Sequence, residues 1–259
     1  MLNTIYLLFI ALGLSLHCQA QVPTQQDGPI NFSLMIIPVY IEENKSGPMY
    51  EVHQQILGAL SAKFNRVFDT TISPPLRAQQ NFVAGRAQAL MPDFCDANIG
   101  VPFVHSVPFA RVVRYILTPA NSPSINSYSA LKGKKVGLVR GYAYDLEGKA
   151  GEGIELIWTT SQRQTVRMLR NGRLDAIVAN LDEVAQIVQS EGGQMPNVDI
   201  GHPVLDRSLC YVFHDNQLGR HLALEVSGQI IELRRQGKLA DSIGQNHIPD
   251  FLPAKPEVR

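Results

Sequence analysis

Short apolar runs alternate along the chain with longer segments whose apolar positions recur at helical spacing. Residues 31–39 read as a strand, and the segment 48–64 places Met49, Val52, Ile56, Leu57 and Leu60 on one helical face. A helix of that kind buries one side on a sheet and leaves the other in water. Residues 66–72 form the next expected strand. Pro74 and Pro75 open a helix that reaches Phe82 and stops at Gly85, and residues 87–91 give a third, short strand. Residues 92–107 have no period and read as a loop; 109–117 are apolar enough for a strand. The Ser-, Pro- and Asn-rich stretch 119–129 is a connector. A second unit of the same kind follows, with strands over 135–139, 154–158 and 175–179 and helices over 142–148, 161–171 and 181–190. Residues 198–204 run back, 210–213 form a short strand, and 218–236 form a helix with Leu218, Leu222, Val226, Ile230 and Leu233 on one face. Strands and helices alternating in this way predict an α/β fold with mostly parallel sheets flanked by helices.

The segment ahead of the first strand has a different character. Residues 5–16 are an apolar run that ends at the small-residue site Cys18-Gln19-Ala20, the pattern of a secretory signal peptide over residues 1–20. The run is shorter than the ~20 residues a bilayer span needs. Lipidation at Cys18 is disfavoured by its neighbour His17. The expectation is an exported, periplasmic chain. Export leaves Cys95 and Cys210, which in an oxidising compartment either join as one disulfide or serve separately as small buried hydrophobes.

Composition narrows the function. The 259 residues carry 23 Lys and Arg against 23 Asp and Glu, with 45% hydrophobic residues, so the chain can bury one large core or two modest ones. Balanced charge without like-charge runs argues against nucleic acid, polyanions and anionic membranes as partners. The sequence contains no Gly-x-Ser-x-Gly, His-Glu-x-x-His, Gly-x-x-x-x-Gly-Lys or Cys/His cluster. The reading is therefore a non-enzyme that needs neither cofactor nor metal.

Two motifs carry a resemblance. Residues 131–141 run through Gly133-Lys134-Lys135-Val136-Gly137 to Arg140-Gly141, a strand entering a glycine turn; about thirty residues later stands Asn171-Gly172-Arg173-Leu174-Asp175-Ala176. In that order and spacing they resemble the second lobe of the family 3 extracellular solute-binding proteins. Gly47-Pro48-Met49-Tyr50, Ser106-Val107-Pro108-Phe109 and the 233–239 segment around Gly237 are similar to further stretches of that family. The resemblance implies a two-lobed periplasmic binding protein-like fold with two hinge crossings. Lobe one would comprise residues 21–117 plus 205–259, and lobe two residues 118–204. It also implies a monomer that encloses a small-molecule ligand by hinge closure and serves an inner-membrane ABC permease. A stand-alone sensor is the competing role. A lyase similar to cyclohexadienyl dehydratase is a weaker one.

The departures from that family bear on the ligand. The arginine that grips the ligand carboxylate in amino-acid receptors falls at Gly100 here, and the aspartate that holds the ammonium falls at Asn180. Losing one partner of an enclosed charge pair costs roughly 2–5 kcal/mol. Two such losses would carry a micromolar receptor to about millimolar or weaker. The expected ligand is therefore small and polar but not a standard α-amino acid, unless Arg77, Arg111 or Arg114 reaches the cleft. The missing arginine also counts against the lyase.

Strand ends that face the other lobe supply the candidate ligand-binding residues. Tyr40 follows the first strand, Asp93 and Phe94 end the third, and Arg140, Gly141 and Tyr142 stand where a helix N-terminus would receive an anion. Asn180 offers an amide to a neutral polar ligand. Asp182 reads as the cap of the following helix.

Overall fold

Nearly every side chain of the first strand, β1 (Ile30–Met35), is buried, as an apolar run inside a layered sheet must be. The computed structural model describes residues 28–249 apart from 39, 147, 245 and 246; the expected signal segment, residues 1–20, lies outside them. Helix α1 (Pro48–Phe64) buries Met49, Val52, Ile56, Leu57 and Leu60, the face that the spacing predicts. Strands β2 (Phe68–Ser73) and β3 (Ala89–Phe94) flank β1 in parallel, joined by α2 (Pro75–Val83). Proline opens α2 because its fixed φ suits the first turn, where its missing N–H has no intrahelical acceptor. The stretch 92–107 is less irregular than its composition suggests. β3 continues to Phe94, and β4 (Phe103–His105) forms within it.

The next strand, β5 (Ala110–Thr118), leads into a second half made of β6 (Lys135–Val139), β7 (Glu155–Thr159), α3 (Gln162–Arg170), β8 (Ala176–Ala179) and α4 (Leu181–Glu191). After the two-residue β9 (Asn197–Val198), β10 (Leu205–His214) returns the chain to the first half, where α5 (Gln217–Arg235) and α6 (Lys238–Ile243) pack. Strand order is β2-β1-β3-β10-β5-β8-β6-β7. β5 and β10 are the crossing strands. They pair antiparallel from Leu205 opposite Arg114 to Leu209 opposite Ala110; beyond that, β10 pairs with β3 and β5 with β8.

Each half has its own core, aromatic around Phe32, Phe68, Phe109, Tyr211 and Phe213 in the first and largely aliphatic, with Tyr144 buried in it, in the second. Cys95 and Cys210 are joined as a disulfide, which settles their two possible uses and ties the end of β3 to β10. Among the described residues no helix is long and apolar enough to cross a membrane.

Three expectations need correction. The helix expected over 142–148 does not form. Gly141 and Asp145 take positive φ, and Val139 N–H donates to the Tyr144 hydroxyl, so aromatic packing holds an extended loop there. The return segment 198–204 is a strand only at Asn197–Val198. β10 is longer than the expected 210–213, because its polar start, Asp206, Arg207 and Ser208, is sheet by virtue of pairing with β5.

Candidate functional site

The crossing strands leave a cavity of ≈ 50 Å³ between the two halves of the sheet. That volume holds a few water molecules. Met35, Ile37, Met49, Val112 and Leu209 give it an apolar wall, and Tyr40, Asp93, Phe94, Gly141, Tyr142 and Asn180 line it as well. Arg140 does not line it and is exposed. With no helix after Gly141, the anion-receiving helix N-terminus expected there is absent too.

The first half supplies Tyr40 and the end of β3. The Tyr40 carbonyl accepts from the N–H groups of Met49 and Tyr50 at 3.0 and 3.2 Å, closing the start of α1. Gly47 makes this turn possible: its φ is 105°, and a Cβ there would lie 2.6 Å from the Tyr40 carbonyl oxygen. Asp93 and Phe94 are held between neighbours, with Asp93 opposite Cys210 and Phe94 opposite Leu209. The Asp93 Oδ1 accepts from the Phe94 N–H at 2.8 Å, whereas its Oδ2 is buried without a partner. Burial pushes this carboxyl up to about 6, against the opposing influence of the Phe94 N–H, Gln79 and Arg207.

From the second half come the end of β8 and the first turn of α4. Asn180 caps α4, its Oδ1 accepting from the Asp182 N–H at 2.8 Å. The cap is therefore Asn180, not Asp182 as expected. Asp182 is free to face the other half. There its Oδ2 accepts from the Tyr40 hydroxyl at 3.0 Å and from His247 Nε2 at 2.8 Å. The His247 hydrogen bond holds Asp182 below the usual carboxylate range, and Asp182 in turn raises His247. Glu183, the next residue, is 3% exposed, and its Oε2 has no partner. Burial raises its carboxyl to about 7; Arg114 opposes the rise and Asp182 adds to it.

The cations are committed elsewhere. Arg114 is buried with its Cζ 4.7 Å from the Tyr142 ring centre, 4.9 Å from Tyr144 and 5.9 Å from Phe94, and its Nη1 donates to the Ala143 carbonyl. Arg111 is tied to Asp206 through Nε and Nη2. Gly100, where the family arginine would stand, does not line the cavity. Gly141 closes the far side: a Cβ there would meet the Leu76 nitrogen at 2.4 Å, so only glycine lets this loop touch the start of α2.

Glu183 and His247 were not singled out by the sequence. The Asn-x-x-Glu spacing of Asn180 and Glu183 is a capping-box pattern, yet Glu183 lines the cavity. Among the described residues the grouping with metal-ligand geometry is Cys95, His105 and Cys210, and its two sulfurs are the disulfide.

No protein-family model and no curated protein sequence matches the chain. Solved structures do. A histidine kinase sensor domain with similarity to periplasmic binding proteins superposes with a TM-score of 0.71 at 18% identity, over 85% of this chain and 98% of that one. A putative L-cystine ABC transporter protein from Listeria monocytogenes gives 0.69 at 16% identity, over 86% and 98%. The GluR0 ligand-binding core from Nostoc punctiforme, solved with L-glutamate, gives 0.67 at 14% identity, over 83% and 100%. The fold is that of the two-lobed periplasmic binding proteins.

Proposed function

We propose that this chain is an exported, non-enzymatic solute-binding protein that encloses a small polar ligand, other than a standard α-amino acid, between two lobes. The observation that carries the reading is the cavity at the crossing strands, lined from both halves of the sheet and by two acids, Asp93 and Glu183, each with a buried oxygen that has no partner. Lobe one is residues 21–117 with 205–259, lobe two residues 118–204. Tyr40, Asp93, Phe94, Gly141, Tyr142 and Asn180 are the ligand-facing set; Arg140, exposed and off the cavity wall, is outside it.

A ligand that touches both lobes binds the closed arrangement better than the open one, and that difference in affinity is what shifts the population. The bonds from Tyr40 and His247 to Asp182 act in the same direction, because they too exist only when the lobes meet. Delivery to an inner-membrane ABC permease is supported by the likeness to proteins such as the putative L-cystine ABC transporter protein of Listeria. Small-angle scattering of the mature chain against a broad metabolite library tests the reading. At least one compound should reduce the radius of gyration, and a library without any such compound would defeat it. The same cleft would serve a sensor, as in the histidine kinase sensor domain. Co-purification with permease subunits separates the two.

A further inference from the structure

We propose that the ligand is a small organic cation, a protonated amine or guanidinium without a carboxylate, whose N–H groups bridge Asp93 of the first half and Glu183 of the second. The proposal rests on the solute-binding reading and specifies its ligand. Asp93 Oδ2 and Glu183 Oε2 are both buried without a hydrogen-bond partner, in residues that are 8% and 3% exposed, and both residues line the cavity. A buried acceptor left unpaired is costly, so a native site that keeps two of them in residues lining one cavity is arranged for a donor. Gln79 and Arg207 act on the Asp93 carboxyl without a hydrogen bond to its Oδ2, and the arginines that line the cavity do not meet that demand either. Arg114 lies among three aromatic rings and donates to the Ala143 carbonyl, and Arg111 is tied to Asp206.

The same arrangement disfavours a carboxylate on the ligand. Each lining arginine is engaged by rings, a carbonyl or an aspartate, while Asp93 Oδ2 and Glu183 Oε2 have no partner. Carbon atoms of the ligand would lie on Met35, Ile37, Met49, Val112 and Leu209, and the ≈ 50 Å³ enclosed here suits a short chain. Because the two acids come from opposite halves, an N–H donor that bridges them draws the lobes together.

Calorimetric titration of the mature protein with ethylamine, guanidinium and putrescine, set against the neutral diol analogue of putrescine, succinate and alanine, tests this. At least one of the three cations should bind tenfold or more tightly than the diol, succinate and alanine. Asp93→Asn and Glu183→Gln should each weaken that cation at least tenfold while circular dichroism and melting show a folded protein. Failure of all three cations to bind, equal or tighter binding of the diol, succinate or alanine, or unchanged affinity in both folded variants overturns the proposal. Compaction by a library compound that is not a cation would overturn it and leave the solute-binding reading standing; no compaction by any compound would defeat that reading itself.

Discussion

Asp182 and Glu183 are adjacent carboxylates in the first turn of one helix, and they meet opposite environments. Asp182 sits at the rim of the cleft, where the first half offers it two donors, the Tyr40 hydroxyl and the His247 ring. Glu183 sits inside, beside an aromatic-covered arginine and an apolar wall, and its Oε2 receives no donor. One carboxyl is held below its ordinary range, and the other is raised to about 7. Helix position cannot explain the contrast, since the same positive helix end favours both charges. What differs is what the opposite half of the molecule presents to each. The rim is a built latch. The interior keeps a buried acceptor without a partner.

The largest effect should come from Glu183→Gln. The wild-type carboxyl ionises near 4.5 when the chain is unfolded and near 7 when folded. Stability from this group is therefore full below pH 4.5 and is lost as the pH rises through about 7. Glutamine does not titrate, so the variant should gain up to about 3 kcal/mol over wild type at pH 8 and nothing at pH 4. Urea denaturation at the two pH values measures this; equal gains at both would mean that Glu183 is not desolvated.

A smaller effect belongs to Asp182→Asn. The stabilising part of Asp182 is present above 3.8 and lost as the pH falls through its depressed folded value, whereas that of His247 is present below 6.5 and lost as the pH rises through its elevated one. The latch is thus strongest between about pH 4 and pH 6.5. Because the Asp182 side chain is 54% exposed, its loss should cost only about 1 kcal/mol in that window. NMR titration should show the His247 pKa falling toward 6.5 in the variant. Tyr40→Phe should have the smallest effect, roughly 0.5–1 kcal/mol for the hydroxyl's contacts with Asp182 and His247 Nε2, with His247 still elevated by Asp182. A larger cost than in Asp182→Asn would make the tyrosine, not the histidine, the main partner in the latch.

Much of this site lies where local pattern points. Asp93 and Phe94 do end a strand, and Asn180 does stand between a strand and a helix; strand ends and helix starts are written in local alternation and capping chemistry. The 142–148 segment misled because its helix-like composition yields to Gly141, to Asp145 and to the buried Tyr144. Arg114 is an ordinary strand arginine in sequence, and only the loop around Tyr142 and Tyr144 makes it a covered cation. His247 had no local signal, because its partner lies 65 residues away.

The sequence by itself determined the alternation of strands and helices, the buried face of α1, the proline start of α2 and the glycine turns, since each depends on neighbours within a few residues. The tertiary structure alone decided that β5 and β10 cross, that Cys95 meets Cys210 and that Asp182 is paired while Glu183 is not. Those outcomes depend on desolvation and on donors brought from across the cleft, as with Tyr40 and Asp182, 142 residues apart. Charge in a cleft is set by what faces it. Gly100 and Asn180 suggested that the charge pair of an amino-acid site is missing; Asp93 was expected in the cleft, and the fold adds Glu183 and brings in Arg114 beside it.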